Sequence, residues 1–450
     1  MKKTLAIIVA LVMVFGIVVA CAADVPTPTP TPDAEPTPDA ALAPDEAPAE
    51  ELPDDPTQIS GTLTHWSGTW NDGRLQELLA LFNETHPNIH VNFEFGPWDG
   101  MEDRYFAAMQ AGVIPDVLDL AVAWNIPFAQ MGQLVAVDEL AARHGLNLAA
   151  TFFPGPLEST RVDGQHFGLP YRTEVGAIIY NKDLFEQAGL DPNVTPDTWE
   201  ELVEMGRAID ALGGGVSGFG LSGNEAGNTT WMVYSLWMSN GVQVLTDDFT
   251  AAAFNTPAGL EVVEFWGTEI GGIAPASVLE NDLSANRNLF VEGLVGMYMT
   301  GSYDLEPILD ANPDINMGFF LFPQFNPNLP ARVEAGGWNI AMTRTVTEEN
   351  MDAAFLWMKF LASPEISVIY SDTLSAVKGT ADHPAYDDPN LDVFLEAMPM
   401  GMPRQGHIAM GAVTTILYGE LQAVLAGLKT AEQALNDAEA RVNELLETFQ

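Results

Sequence analysis

Trp66 and Trp70 lie close together in GTLTHWSGTW, directly after a strand-like run. Trp98 and Asp99 occupy FGPWDG, and Trp124 and Asn125 follow PDVLDLAVA. Tyr171, Arg172 and Glu174 fall in LPYRTEV, and Trp231 follows GNEAGNTT. Ser302, Tyr303 and Asp304 follow VGMYMTG; Gly336, Gly337 and Trp338 form a flexible turn before NIAMT; Arg404 lies in MPMGMPRQGH. Aromatic faces stack on the apolar C–H faces of a sugar ring, and planar Asp, Glu, Asn and Arg groups bond its hydroxyl rim in pairs. The joint placement at strand ends points to recognition of a polyhydroxylated ligand. For any single tryptophan the plainer reading is a core or hinge residue. Trp199, Trp266 and Trp357, embedded in helical patterns, are assigned to packing.

Catalytic and metal chemistry leave weaker traces. H-E-x-x-H, Walker A, EF-hand and G-x-S-x-G patterns do not occur. GGGVSGFGLSG matches G-x-G-x-x-G at Gly213, Gly215 and Gly218. It follows the helical ELVEMGRAIDAL instead of a strand, so it reads as a helix stop and turn. The 7 histidines have no ligand spacing, which argues against a zinc site. Carboxylate pairs are too frequent to single one out for glycosidase chemistry. No metal or cofactor is expected, and the chain is not read as an enzyme.

The elements that must position these residues alternate between strand and helix. TLTHW is strand-like, and RLQELLALFNET carries Leu75, Leu78, Leu79 and Phe82 at helical spacing. IHVNFEF alternates with Ile89, Val91, Phe93 and Phe95 on one face. RYFAAMQAG is a helix stopped by Gly112, and PDVLDLAVA a buried strand. GAIIY is a strand, and TPDTWEEL offers Asp197 or Thr198 as a helix N-cap. TAEQ opens the last helix with a capping-box pattern. Such alternation predicts α/β architecture with a largely parallel sheet. In open α/β sheets ligands sit beyond the carboxyl ends of the strands, where the first three tryptophan loops fall.

Composition bounds the rest. The 450 residues suffice for two or three domains, and a mean hydropathy of +0.07 fits a folded body. The formal net charge of -45 repels nucleic acid and anionic lipid headgroups, so no nucleic-acid partner is expected. The acidity keeps the chain soluble, with a saline or acidic habitat as the alternative reading. Lys2 and Lys3 precede an apolar run from Leu5 to Ala20, a signal-peptide pattern too short for a comfortable span. The run ends VVAC at the single cysteine, Cys21, which rules out an internal disulfide. VVAC resembles the bacterial lipobox, which implies lipidation at Cys21. Residues 22–60 are rich in Pro, Thr, Ala and acid, an extended tether.

From Gly61 to Gln450 the chain resembles an extracellular solute-binding protein of the carbohydrate class, similar to the maltose-binding type that serves ABC importers. The resemblance rests on ordered blocks: LFNETHPNIHVNFEF, MQAGVIPDVLDL, DGQHFGLPYRTEVGAIIYNKDLFEQAGL with PDTWEEL, FVEGLVGMYMTGSYDL, GGWNIAMTRTVTEENMDAAFLWMKFLASPE and TAEQALNDAEARVNELL. It implies a periplasmic-binding-protein-like fold of two α/β lobes, with a hinge and a central ligand cleft. Carried over, residues 1–20 are a lipoprotein signal peptide and 21–60 the lipidated cysteine and tether. Lobe one is 61–171 plus 319–375, and lobe two is 172–318 plus 376–450. The ligand-binding residues it implies are Trp66, Ser67, Trp98, Asp99, Trp124, Tyr171, Arg172, Glu174, Trp231, Tyr303, Gly337, Trp338 and Arg404. TGSYDL departs from the family, which usually has tryptophan at Tyr303, and the Arg404 loop has no residue-by-residue counterpart.

The expectation is a monomeric binding protein, held to the membrane by lipid alone at the outer face or in the periplasm. It captures a sugar and delivers it to the permease subunits of an ABC importer. A receptor for a polyamine, peptide or glycerol phosphate, and a secreted glycoside hydrolase, are the alternatives. Within the opening motif, Leu63 is expected to face the sheet, Trp66 to stack on the ligand, Ser67 to bond a hydroxyl and Trp70 to buttress the loop.

Overall fold

The computed structural model describes residues 56–98, 100–380 and 382–449. The segment expected to be a signal peptide, Cys21 and most of the expected tether lie outside these residues. The last tether residues join the fold: Asn88 Nδ2 donates to the Thr57 carbonyl at 2.7 Å, and Ile59 packs on the first core.

Strands β1 (Gly61–Gly68), β2 (Ile89–Gly96), β3 (Val117–Ala121) and β4 (Leu169–Glu174) come first. They are followed by β5 (Ala177–Asn181), β6 (Ser217–Gly220), β7 (Val295–Thr300) and β8 (Met317–Phe320), then β9 (Val333–Met342), β10 (Leu374–Ser375) and β11 (Gly401–Pro403). One sheet has the order β10-β4-β9-β3-β1-β2, with β11 also on β9, a second has β8-β5-β7-β6, and Arg161–Val162 pairs with Gln165–His166 in a separate small hairpin. Strands β1, β2 and β3 are mutually parallel, but β9 runs antiparallel to both β3 and β4. The sheet is therefore mixed, not largely parallel, because β9 enters it from the opposite direction.

Helices α1 (Arg74–Asn83), α2 (Met101–Ala111), α3 (Val122–Gln130), α4 (Trp199–Asp210), α5 (Ala226–Ser239), α6 (Met351–Leu361), α7 (Pro364–Ser371), α8 (Met410–Leu425) and α9 (Ala431–Glu447) cover the sheets. Their ends follow local chemistry. Gly112 ends α2 at φ 68°, a left-handed cap that glycine adopts without a Cβ penalty. Thr198 opens α4, and Thr430 opens α9, each in a full capping box. Trp199, Trp266 and Trp357 are fully buried, as their helical settings predict.

Two hydrophobic cores result. One gathers Leu63, Phe82, Tyr105, Leu120, Ile340, Phe355 and Trp357 around β1–β4 and the second half of β9. The other gathers Ile179, Trp199, Phe219, Trp237, Met297, Phe320 and Leu435 around β5–β8. This is the two-lobed α/β fold that the sequence implies, with different limits. Strand β8 pairs with β5 in the second sheet, and Phe322, Phe325 and Val333 join the second core. Residues 319–333, expected in lobe one, therefore pack with lobe two. Residues 172–174 stay paired to β9 and β10 in the first sheet, and Val377 packs in the first core.

The chain passes between cores at Val175–Gly176, between Val333 and Trp338, and between Val377 and Tyr386. Backbones crowd there, and Gly337 records it. Its φ is 138°, and a Cβ would collide with the Arg172 carbonyl oxygen. Gly336, Gly337 and Trp338 thus lie inside β9, not in a flexible turn before it. Gly337→Ala combines a disfavoured backbone with a clash, and is expected to lower unfolding stability by about 2 kcal/mol or more. Urea titration of both chains checks this; an unchanged midpoint would show that the crossing is not tightly packed.

Candidate functional site

Parallel strands that end together bring their following residues to one edge. Strands β1 and β2 are in register from Gly61↔Ile89 to Gly68↔Gly96, so Trp70 and Trp98 emerge side by side. Trp124 follows β3, on the first turn of α3 and not in a loop. Trp338 comes from the neighbouring β9, where it pairs with Ala121. Trp98 stacks on Trp124 at 5.3 Å and 12°. Trp338 meets Trp98, Trp124 and Trp70 edge-on at 5.7, 6.1 and 5.1 Å. Offset and edge-to-face aromatic pairs hold one another rigid. Trp124 and Trp338 are 7% and 6% exposed, while Trp98 is 45% exposed, so the wall is fixed at its base and open at its rim.

The second core, together with β4 and β9 where the lobes meet, supplies the facing groups. Trp98 Nε1 donates to Glu225 Oε1 at 3.1 Å, at the start of α5. Trp231, in the second turn of α5 and not at its start, donates from Nε1 to the Glu334 carbonyl at 2.9 Å. Arg404 clamps Glu334 with two bonds, Nε to Oε1 at 2.8 Å and Nη2 to Oε2 at 3.1 Å, and lies over the Tyr234 ring at 4.8 Å. Arg172 and Glu174 form an ion pair on β4, with the Arg172 guanidinium 5.9 Å from the Tyr303 ring centre. Tyr303 is set by its neighbour Asp304, which accepts from Tyr298, Thr300 and Arg287 at 2.7, 2.6 and 2.6 Å.

Several expected residues fall elsewhere. Strand β1 continues to Gly68, so Trp66 and Ser67 are strand residues and not loop residues. Ser67 is fully buried and donates to Asp119. Tyr171 is also fully buried and stacks on Tyr370 at 4.2 Å; both side chains belong to the first core. Trp66 carries the Arg104 guanidinium over its ring at 4.5 Å and packs on Tyr105, so this ring face already has a cationic partner. Trp70, expected only as a buttress, touches the tryptophan wall through Trp338. Asp99 lies outside the described residues. Sequence reasoning passed over Glu102, Arg104, Glu225 and Glu334; a charged residue two positions before a glycine pair, as in VEAGGW, was the available signal for Glu334.

Burial raises the Glu102 carboxyl above its ordinary value of 4.5, with the Arg404 charge opposing and Asp103 adding to the rise. Burial also raises Glu334, against the pull of Arg404. For Arg404, burial works against the charge, yet Glu334 beside it holds the guanidinium above its usual value. Burial pushes the Tyr234 phenol up to about 12 and keeps Tyr303 well above its ordinary range, with Asp304 and Glu174 adding to the effect. Both phenols are therefore neutral hydroxyls. Among the described residues, buried Arg104 Nη2 and Arg172 Nε find no hydrogen-bond partner, leaving two planar donors. Among the described residues, no group of His, Cys, Asp or Glu is placed to hold a metal ion. No described helix is long and apolar enough to cross a membrane.

Fold and cleft together define a two-lobed solute receptor, and comparison with known proteins places it. The family model for bacterial extracellular solute-binding proteins matches residues 69–367, and the chain belongs to that family. A binding protein of Brucella abortus is 31% identical over 249 residues, 55% of this chain and 59% of the relative. The chain thus spans about three fifths of the length of that curated relative. The sn-glycerol-3-phosphate-binding periplasmic protein UgpB of Brucella abortus is 23% identical over 85% of this chain and 92% of its own. Among solved structures, an ABC transporter solute-binding protein of Thermotoga lettingae bound to α-D-tagatose is 25% identical, with a TM-score of 0.76 over 86% of this chain and all of that one.

The pH dependence of stability follows from Glu102. A carboxyl raised in the folded state takes up its proton before the unfolded chain does, so stability rises as pH falls through the raised value and levels off below the ordinary one. Glu102→Gln is expected to melt higher than the parent near neutral pH, with the gap closing on acidification. Calorimetric melts from about pH 8 to about pH 4 test the sign; a gap that widens on acidification would contradict it.

Proposed function

We propose that this chain is the extracytoplasmic receptor of an ABC importer, without catalytic activity, and that it captures a sugar or oligosaccharide between its lobes. The observation that carries this reading is the tryptophan wall of Trp98, Trp124 and Trp338 facing planar polar groups across the cleft. A sugar ring offers an apolar face to the wall and a hydroxyl rim to Arg172, Glu174, Tyr303 and Arg404. The three chain crossings form the hinge, and closure about them buries the ligand. Lipidation at Cys21 and the tether up to the folded body hold the receptor near its permease, as a monomer. The tagatose-bound neighbour supports a sugar ligand, whereas the long match to UgpB supports glycerol phosphate as the second reading.

A thermal-shift screen with maltose, glucose, D-tagatose, spermidine and sn-glycerol 3-phosphate separates these readings, because a ligand that binds only the folded state raises apparent stability. At least one neutral sugar is expected to raise the melting temperature. Trp98→Ala removes an exposed stacking face from a residue that belongs to neither core, and is expected to weaken that sugar about tenfold, roughly 1.4 kcal/mol. No shift with any sugar, or full affinity in Trp98→Ala, would sink the proposal.

A further inference from the structure

The charges of the cleft carry a narrower conclusion about its ligand, resting on the sugar reading above. A site built for a phosphate leaves guanidinium forks free to take it bidentately. Here two of the three cleft guanidiniums already hold a carboxylate. Both ends of the Arg404 fork hold Glu334, a residue 6% exposed. Arg172, 7% exposed, is paired to Glu174 on its own strand. Arg104 lies flat on Trp66. Glu102 and Glu225 add further carboxylate at the same cleft, Glu225 through the Trp98 bond and Glu102 in the field of Arg404.

A phosphate that takes Arg404 or Arg172 bidentately must displace a carboxylate from its arginine and leave that carboxylate unpaired, a costly exchange. A neutral hydroxyl needs no such exchange: it bonds the outer edges of the paired groups and the unpartnered Arg172 Nε and Arg104 Nη2. We propose that Glu174 and Glu334 are specificity-determining residues that neutralise the cleft arginines from within, so that the receptor takes uncharged polyhydroxylated ligands and rejects phosphate-bearing ones. On this account the chain parts from its glycerol-phosphate-binding relative in charge preference while keeping the same fold.

The test uses the folded chain and the variants Glu174→Gln and Glu334→Gln. Calorimetric titrations are run with maltose, glucose, D-tagatose, inorganic phosphate, sn-glycerol 3-phosphate and spermidine. The parent is expected to bind a neutral sugar and neither phosphate. Each variant frees an arginine and is expected to gain about tenfold or more in affinity for sn-glycerol 3-phosphate, a gain that fades at raised salt. Because Glu334 is buried, the double variant Arg172→Gln/Glu174→Gln provides a second check: it is expected to lose the gain made by Glu174→Gln alone. The inference is overturned if the parent binds sn-glycerol 3-phosphate as tightly as any sugar. It is equally overturned if sugar-binding Glu174→Gln acquires no phosphate affinity. In that second case the sugar reading stands and only this inference fails. A parent that binds spermidine and no sugar overturns both.

Discussion

The rest of the structure depends on how β9 threads the molecule. Its first residues belong to the second lobe, where Val333 is buried in that core and the Glu334 carbonyl receives the Trp231 indole. Its later residues lie between β3 and β4 in the first sheet. Between them, Gly337 lets the backbone press against the Arg172 carbonyl. That close approach brings Trp338 into the tryptophan wall and sets Glu334 beside Arg404. Hinge, aromatic wall and ion pair are thus consequences of one strand shared by two cores.

Behind the wall, the first lobe is stiffened by a buried carboxylate. Asp119 sits in the middle of β3 and accepts from Tyr370 at 2.5 and 2.6 Å, from Asn71 at 3.2 Å and from Ser67. A buried charge is tolerable when its lone pairs are satisfied in this way. The network ties β1, β3 and α7 together just below the strand ends from which Trp70 and Trp98 emerge. It also explains why Ser67 faces inward, while Tyr171 is held in the same core by its stack on Tyr370.

Much of the fold was legible because it is written in local chemistry. Apolar spacing gave α1 and β2, and the capping boxes at Thr198 and Thr430 appear where the sequence places them. Gly112 stops α2 as read. The cleft was legible in part: tryptophans at strand ends do gather, since parallel strands in register deliver them to one edge. What eluded sequence reasoning depends on pairing between distant segments. Nothing local to GGW says that it lies within a strand pressed against β4, or that Arg404 meets a carboxylate 70 residues away. Strand direction is equally non-local, so the antiparallel course of β9 went unread. The inward turn of Ser67 follows from one extra pair of strand residues, since alternation along β1 decides which side chain meets Asp119.

The central claim is that a neutral sugar lies between the lobes against the tryptophan wall. The most direct measurement is a crystal structure of the chain grown with whichever of maltose, glucose or D-tagatose binds it most tightly. The account predicts the sugar ring stacked on the Trp98–Trp124–Trp338 wall, its hydroxyls bonded by Arg172 and the Glu334–Arg404 pair, with that pair intact. A sugar bound away from the wall, or a cleft in which Arg404 has left Glu334 to hold an anion, would contradict it.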